Sequence, residues 1–178
     1  MALDDPRSTP SSIVQLAANG DRDAFAQIVA ENDASMFRLS VLITGDGELA
    51  RDAVQQAWVR AWAGMGSLRD TTRLRSWLLS VAANEARALL RSRRAGAARE
   101  RAFAAAASRP GRAADEARLD LEDVLAQLSP DDRALVALRY LFGFNAREIA
   151  GQLRMSHSAV RSRLARLIRH LREELGDD

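Results

Sequence analysis

The chain reads as an all-α protein of two small helical domains joined by a flexible linker, and three observations carry that reading. Ala, Leu, Arg, Glu and Gln, all strong helix formers, dominate its 178 residues, with only four prolines and ten glycines to interrupt them. Apolar residues recur at three- and four-residue spacing through two long stretches, and no extended β-branched run occurs. Between those stretches, over residues 95–118, the apolar residues are mostly alanine, with Gly96, Pro110 and Gly111 as punctuation.

Taken in order, residues 1–12 carry two prolines and several serines and are expected to be a disordered tail. Ile13–Asn19 is a short helix stopped by Gly20. Asp21 can N-cap the next helix, in which Phe25, Ile28, Val29, Met36, Phe37 and Leu39 recur near helical spacing. Gly45-Asp46-Gly47 breaks it, and Asp46 caps a third helix with Ala50, Val54, Ala57, Trp58, Ala61 and Trp62 on one face. Gly64 and Gly66 end that helix, and Ser67–Thr72 is a polar loop. A further helix over about 73–94 turns Leu74, Trp77, Leu78, Val81, Ala82 and Leu89 inward, so that 13–94 forms a bundle of about four helices. For Trp58 and Trp62 core packing is favoured over a stacking platform for bases, and Trp77 is expected to brace the helix it opens.

The linker, 95–118, is given at most transient helix, and a second domain covers 119–175. Leu121, Val124, Leu125 and Leu128 mark its first helix. Ser129-Pro130-Asp131-Asp132 starts another, with a cap, a proline at the first helical position and acids that suit the helix dipole. Gly143 ends that helix at about Leu141. Asn145-Ala146-Arg147-Glu148 is a capping box, with a side-chain oxygen at the cap and a glutamate three residues on. A short helix over 146–153, a turn at 154–156 and a long helix from His157, capped by Ser156, complete a helix-turn-helix.

Several function classes are excluded or disfavoured by composition. With no cysteine there is no disulfide framework and no thiolate chemistry, and two histidines are too few for a zinc site, so neither metal nor cofactor is expected. No nucleophile–base pair or phosphate-cradling glycine loop is visible, so the chain is not expected to be an enzyme or to take a small-molecule substrate. No signal peptide opens it and no apolar run approaches the ~18 residues that span a bilayer; a cytoplasmic protein without membrane insertion is expected. The net charge is only +2, but all 26 basic residues are arginine, clustered at 87–101 and 154–172. GC-rich coding explains an arginine bias as readily as function does; the segregation of the charge points to an anionic polymer as partner.

The last helix is the most specific feature. Val160, Leu164, Leu167, Ile168 and Leu171 lie in one arc that must face a core. The opposite arc holds Ser158, Ser162, Ala165, Arg166 and Arg169, with Arg161 on its flank. The N-terminal half of such a helix meets base edges in the major groove, which selects Arg161, Ser162, Ala165 and Arg166 as base contacts. Arginine forks to guanine, serine bonds either base type, and alanine touches a thymine methyl. Arg154, His157, Arg163 and Arg169 are assigned to phosphates, which set register and salt sensitivity rather than sequence. A bare alternation of Arg and Leu would suit a solvated amphipathic helix better; the capping box, the three-residue turn and the second cap favour DNA.

With these residues in place the chain resembles the ECF-type (extracytoplasmic function) sigma factors of bacterial RNA polymerase over about 13–94 and 119–175. In the C-terminal part the resemblance rests on Leu128-Ser129-Pro130-Asp131, Leu138-Arg139-Tyr140-Leu141-Phe142-Gly143, Glu148-Ile149-Ala150 and Val160-Arg161-Ser162-Arg163-Leu164. The more specific N-terminal part is Ala50-Arg51-Asp52-Ala53-Val54-Gln55-Gln56-Ala57-Trp58, followed by Trp77-Leu78 and Asn84. The resemblance implies that the C-terminal domain reads a promoter's −35 duplex while the N-terminal one captures and melts the −10 element. It implies promoter DNA, core RNA polymerase (through its clamp and flap regions) and an anti-sigma factor as partners.

On the same resemblance, Asp52, Gln55 and Gln56 lie on the clamp-binding surface; without it they would be an ordinary solvated face. The loop residues Ser67, Leu68, Arg69, Asp70 and Thr71, together with Asn84, match the part that captures an extruded −10 base. Flipping a base costs a few kcal/mol, which an amide such as Asn84 can offset by bonding the exposed edge. Taken alone, Asn84 is more often a helix-surface amide. Arg87, Arg91 and Arg94 recur at helical spacing and either follow the melted backbone or simply favour a helix C-terminus. Leu68 and Leu74 stand where the family often has phenylalanine, Arg51 replaces a usual acid, and Arg154 takes a turn position often held by glycine. Two competitors stay open from sequence alone: a stand-alone dimeric helix-turn-helix regulator, and a protein–protein adaptor that never meets DNA.

Overall fold

The computed structural model describes residues 9–103, 127–153 and 155–175, and among these every regular element is helical. Helix α1, Ser11–Ala18, begins at the Pro10 carbonyl, which accepts from the Ile13 and Val14 amides, so order starts two residues earlier than expected. Helix α2, Arg22–Thr44, opens on the Asp21 carboxylate, bonded to the Ala24 amide at 2.9 Å. It closes at Gly45, whose φ of +68° is a left-handed conformation that a side chain would strain. Asp46 then accepts from the Glu48 and Leu49 amides to start α3, Gly47–Gly64.

The N-terminal core is formed where α2, α3 and α4 meet. Ile28, Met36, Leu39 and Ile43 of α2 and Leu78, Leu79, Ala82 and Ala83 of α4 are fully buried against Ala50, Ala53, Ala57 and Ala61 of α3. A row of alanines lets the α3 backbone approach its neighbours closely and leaves the larger side chains at the rim. There the expectation of two core tryptophans holds only in part. Trp58 is half-buried, edge-on to Phe25, with its indole N–H bonded to Asp33 at 2.8 Å. Trp62, one position past the buried Ala61, is 39% exposed and meets Phe25 edge-on at 4.8 Å. Trp77 does brace the start of its helix: its ring lies so close to Gly64 that an added Cβ would come within 3.2 Å of it.

The polar loop after α3 carries single helical turns at Met65–Ser67 and Thr71–Arg73, and α4 runs from Leu74 to Phe103. This helix continues nine residues beyond the expected boundary at Arg94, into the sequence assigned to the linker. Alanine and arginine are strong helix formers, and one interior glycine, Gly96, costs only about 1 kcal/mol relative to alanine. The tail residues 1–8, the rest of the linker and the helix expected around Leu121 lie outside the described residues; Leu128 is buried.

In the C-terminal domain α5, Pro130–Val136, is capped by the Ser129 hydroxyl and passes directly into a wider π turn, Ala137–Leu141. The turn keeps Ala137 and Leu138 buried while Tyr140 and Leu141 face outward. Gly143, at φ +74°, ends it, and Arg139 fastens the exit by donating to the Phe144 carbonyl at 3.0 Å. Helices α6, Ala146–Leu153, and α7, His157–Leu175, follow. Leu135, Leu138, Ile149 and Val160 are fully buried in the core, with Leu164, Leu167 and Leu171 nearly so. The domain packs on the first one, α5 against α2 and α4 and α6 against α4, so that one buried apolar cluster runs through both.

Candidate nucleic-acid interface

The capping box expected at Asn145 forms in full. Its side-chain oxygen accepts from the Arg147 and Glu148 amides, each at 3.0 Å, and Glu148 returns a bond to the Asn145 amide at 2.7 Å. Ser156 caps α7 by accepting from the Ala159 amide at 3.1 Å. With the cap at each helix start fixed, the direction of α7 is set, and its apolar arc (Val160, Leu164, Leu167 and Leu171) is buried. Arg161, Ser162, Ala165, Arg166 and Arg169 are all exposed, as are His157 and Ser158. A groove beside the first half of α7 is lined by Tyr140, Asn145, His157, Arg161, Ser162 and Ala165.

Arg163 stands apart from the other residues assigned to phosphates. Its Nε lies 2.6 Å from the Asp132 carboxylate and an Nη lies 3.4 Å from the Ser129 hydroxyl. The Asp132 hydrogen bond pushes the guanidinium pKa further above its ordinary value, against the opposing effect of burial. Arg163 therefore ties α7 to the start of α5, a brace between residues 31 apart that no local pattern reveals. Arg154 lies outside the described residues. Tyr140 and Arg139 went unselected from sequence; the π turn brings them to the groove, and nothing in the residue pattern marks such a turn.

In the N-terminal domain, Asp52, Gln55 and Gln56 are all exposed on α3. Beside them runs a shallow apolar trough of Phe37, Val54, Trp58 and Val59, with Val59 68% exposed. Arg51 lies over the Phe37 ring at its edge, 5.7 Å from the centroid. Polar hydrogen-bonding groups flanking an apolar trough suit a partner helix better than a small molecule. Sequence reasoning missed Val59, although an apolar residue outside the buried arc was the available signal.

The loop residues Ser67, Arg69 and Asp70 are exposed, whereas Leu68 and Thr71 are half-buried. Ser67 donates to the Gly64 carbonyl, and Asp70 caps the turn that begins α4. The Thr72 hydroxyl, more than its amide, holds the Asp70 carboxyl below the usual carboxylate range. Asn84 and Arg87 come together on α4, where the Asn84 carbonyl oxygen accepts from Arg87 at 3.3 Å, and Arg91 is exposed farther along. Deeper in the same helix Glu85 is 3% exposed and paired with Arg60 at 2.8 Å, a bridge that locks α3 to α4. Among the described residues no cluster of metal-ligating side chains occurs, and no helix is long and apolar enough to cross a membrane.

The fold and these surfaces define a two-headed helical protein, with a major-groove reading helix on one head and a helix-accepting face on the other. Sequence models of Sigma-70 region 2 and Sigma-70 region 4 match residues 28–96 and 118–171. The ECF RNA polymerase sigma factor SigL of Mycobacterium tuberculosis is 33% identical over 168 residues, covering 90% of this chain and 95% of SigL. The probable RNA polymerase sigma factor RfaY of Xanthomonas campestris is 31% identical over 169 residues; the match covers 89% of this chain but 42% of RfaY. The sigma factor RpoE of Bartonella quintana, solved in complex with the anti-sigma factor NepR, superposes with a TM-score of 0.67 at 25% identity, over 86% of this chain and 98% of that one. The chain belongs to the ECF-type RNA polymerase sigma factors, the polymerase subunits that direct promoter-specific transcription initiation. Neither a stand-alone regulator nor an adaptor is favoured once both regions match in order.

Proposed function

We propose that this sigma factor reads the −35 duplex with Arg161, Ser162, Ala165 and Arg166 and captures the −10 element with the Ser67–Thr71 loop, Asn84, Arg87 and Arg91. One observation carries the reading: the four side chains selected for bases form a single exposed face of a doubly capped helix-turn-helix. His157 and Arg169 flank that face and engage phosphates. Arg163 serves as an internal brace, a role supported by its bond to Asp132.

The trough beside Asp52, Gln55 and Gln56 receives the polymerase clamp, its polar rim supplying bonds and Val59 the apolar contact. The polymerase carries out the chemistry, so the sigma factor itself is non-catalytic, and it acts in the cytoplasm. An anti-sigma protein regulates it, as the pairing of RpoE with NepR supports. Attachment at two promoter elements through one chain multiplies two weak affinities.

Reconstituted transcription tests the reading. Purified chain with core polymerase should initiate at a promoter that core alone ignores. Arg166→Ala should cost about 1–3 kcal/mol at one −35 position and relax specificity there. Arg169→Ala should weaken all sequences alike and lower the salt slope by about one. Equal losses on all sequences from both variants would refute the division between base and phosphate contacts.

A further inference from the structure

The two heads leave each other little freedom as they are packed, and the contacts fall on residues assigned above to −10 capture. The Asn84 amide donates to the Gln152 carbonyl at the end of α6, at 3.4 Å. Arg87 is paired with Asp131 at the start of α5, and only 15% of its side chain remains exposed. Phe142, just past the π turn, lies against Arg75 on α4, 5.9 Å from ring centroid to guanidinium. Three successive turns of the capture helix are thus engaged by the C-terminal head.

At the same seam sits Arg133. Its guanidinium reaches the C-terminus of α2, so close to Gly45 that an added Cβ would lie 3.3 Å from Nη1. Its Nε is buried without a hydrogen-bond partner. Burial first, and the neighbouring Arg94 second, depress its pKa, which no acid among the described residues counteracts. A buried cation with an orphaned donor is a penalty held inside the contact, offset in part by the negative end of α2. The apolar seam and the Arg87–Asp131 pair hold the heads together, while Arg133 keeps the contact weak enough to reverse.

We propose that the free chain is closed on itself: the −35 head covers the Asn84–Arg87 stretch of the −10 head, and it must swing away before a promoter is read. The occlusion rests on the −10 role given to Asn84 and Arg87; the closure does not. No promoter-reading role is given to Asp131 or Arg133, so both can be altered without touching the reading surfaces. Opening is then a step that polymerase binding or promoter engagement drives by taking up one head at a time.

The chain has no cysteine, so Gln27→Cys and Arg172→Cys place one label on each head of the full-length protein, both at exposed positions. Distance distributions from pulsed electron resonance should show a dominant short population for the free chain and a long one with core polymerase bound. Asp131→Arg, which sets like charges against each other, should raise the long population about tenfold. Arg133→Met, which removes the buried cation, should deplete it. A free chain dominated by long distances, or variants that leave the distribution unmoved, would overturn the closure. The reading beneath the occlusion has its own test: Asn84→Ala should lower use of the −10 element in reconstituted transcription. If that substitution is silent, the occlusion falls even where the distances move as expected.

Discussion

The N-terminal domain is built mainly from helices of 23, 18 and 30 residues, the C-terminal one from helices of 7, 8 and 19. Helices shorter than about 12–15 residues are marginal alone, so the short pair draws its order from caps and tertiary contact. The caps themselves differ in kind. Asp21, Asp46 and Asp70 start helices or helical turns in the first domain; Ser129, Asn145 and Ser156 start them in the second. All six satisfy the same orphaned amides, but only the second set keeps cap charge away from a polyanion. One domain can use the stronger electrostatics of a carboxylate at a positive helix end, and the other caps its reading helix with neutral oxygen.

The largest effect that tests this contrast comes from the two cores. Leu78 and Leu138 are both fully buried, one in each domain, and truncating either to alanine should cost about 2–5 kcal/mol. The smaller domain has less stability in reserve. Leu138→Ala should therefore strip hydrogen-exchange protection from α6 and α7 while α3 and the first half of α4 stay protected. Leu78→Ala should loosen the long helices. If both substitutions shift one shared transition equally in denaturant, the chain is a single cooperative unit and the contrast between domains is lost.

A substitution at one cap probes charge with structure held constant. Ser156→Asp keeps a good N-cap, since Asp and Ser are comparable there, so thermal stability should hardly change. It also sets a carboxylate at the start of the exposed α7 face, where repulsion from phosphate of about 1 kcal/mol should weaken duplex binding roughly five-fold. Ser156→Asn, a neutral cap, should bind as the parent does. Equal affinity for the two variants, measured by fluorescence anisotropy at low salt, would show that cap charge is immaterial to DNA reading.

What was legible in the sequence follows the range of the interaction. The caps at Asp21, Asp46, Ser129, Asn145 and Ser156 each join groups two or three residues apart, and every one forms as read. The buried and exposed arcs of α7 were legible for the same reason, since helical period alone sets them. Arg163 was misjudged as a free arginine because its partner, Asp132, lies 31 residues away. Trp62 was expected in the core because a wheel does not say that α3 packs through its alanines. The π turn beneath Tyr140 and the contact of Asn84 with Gln152 leave no local trace at all. Promoter-facing residues on one helix could thus be named, whereas what restrains them had to come from the fold.

The smallest predicted effect is also the one that separates the two kinds of cap most cleanly. The Arg93 hydrogen bond, and next the Leu49 amide, hold the Asp46 carboxyl below its ordinary value of 3.8. A carboxyl depressed in the folded state contributes stability that is present above the unfolded value. That contribution is lost as pH falls through the lower folded value. Ser129, Asn145 and Ser156 do not titrate in this range, so acid should reach the start of α3 before it reaches the starts of α6 and α7 through their caps. Asp46→Asn retains an accepting oxygen for the Glu48 and Leu49 amides and removes the titration. Amide exchange at residues 48–51, followed from about pH 5 downward, should accelerate in the parent below the ordinary carboxylate value and stay flatter in the variant. Other carboxylates protonate in both proteins, so the difference between the two curves isolates Asp46. If the curves are parallel, the α3 cap acts by geometry alone, and the division between charged and neutral caps has no energetic content at that helix.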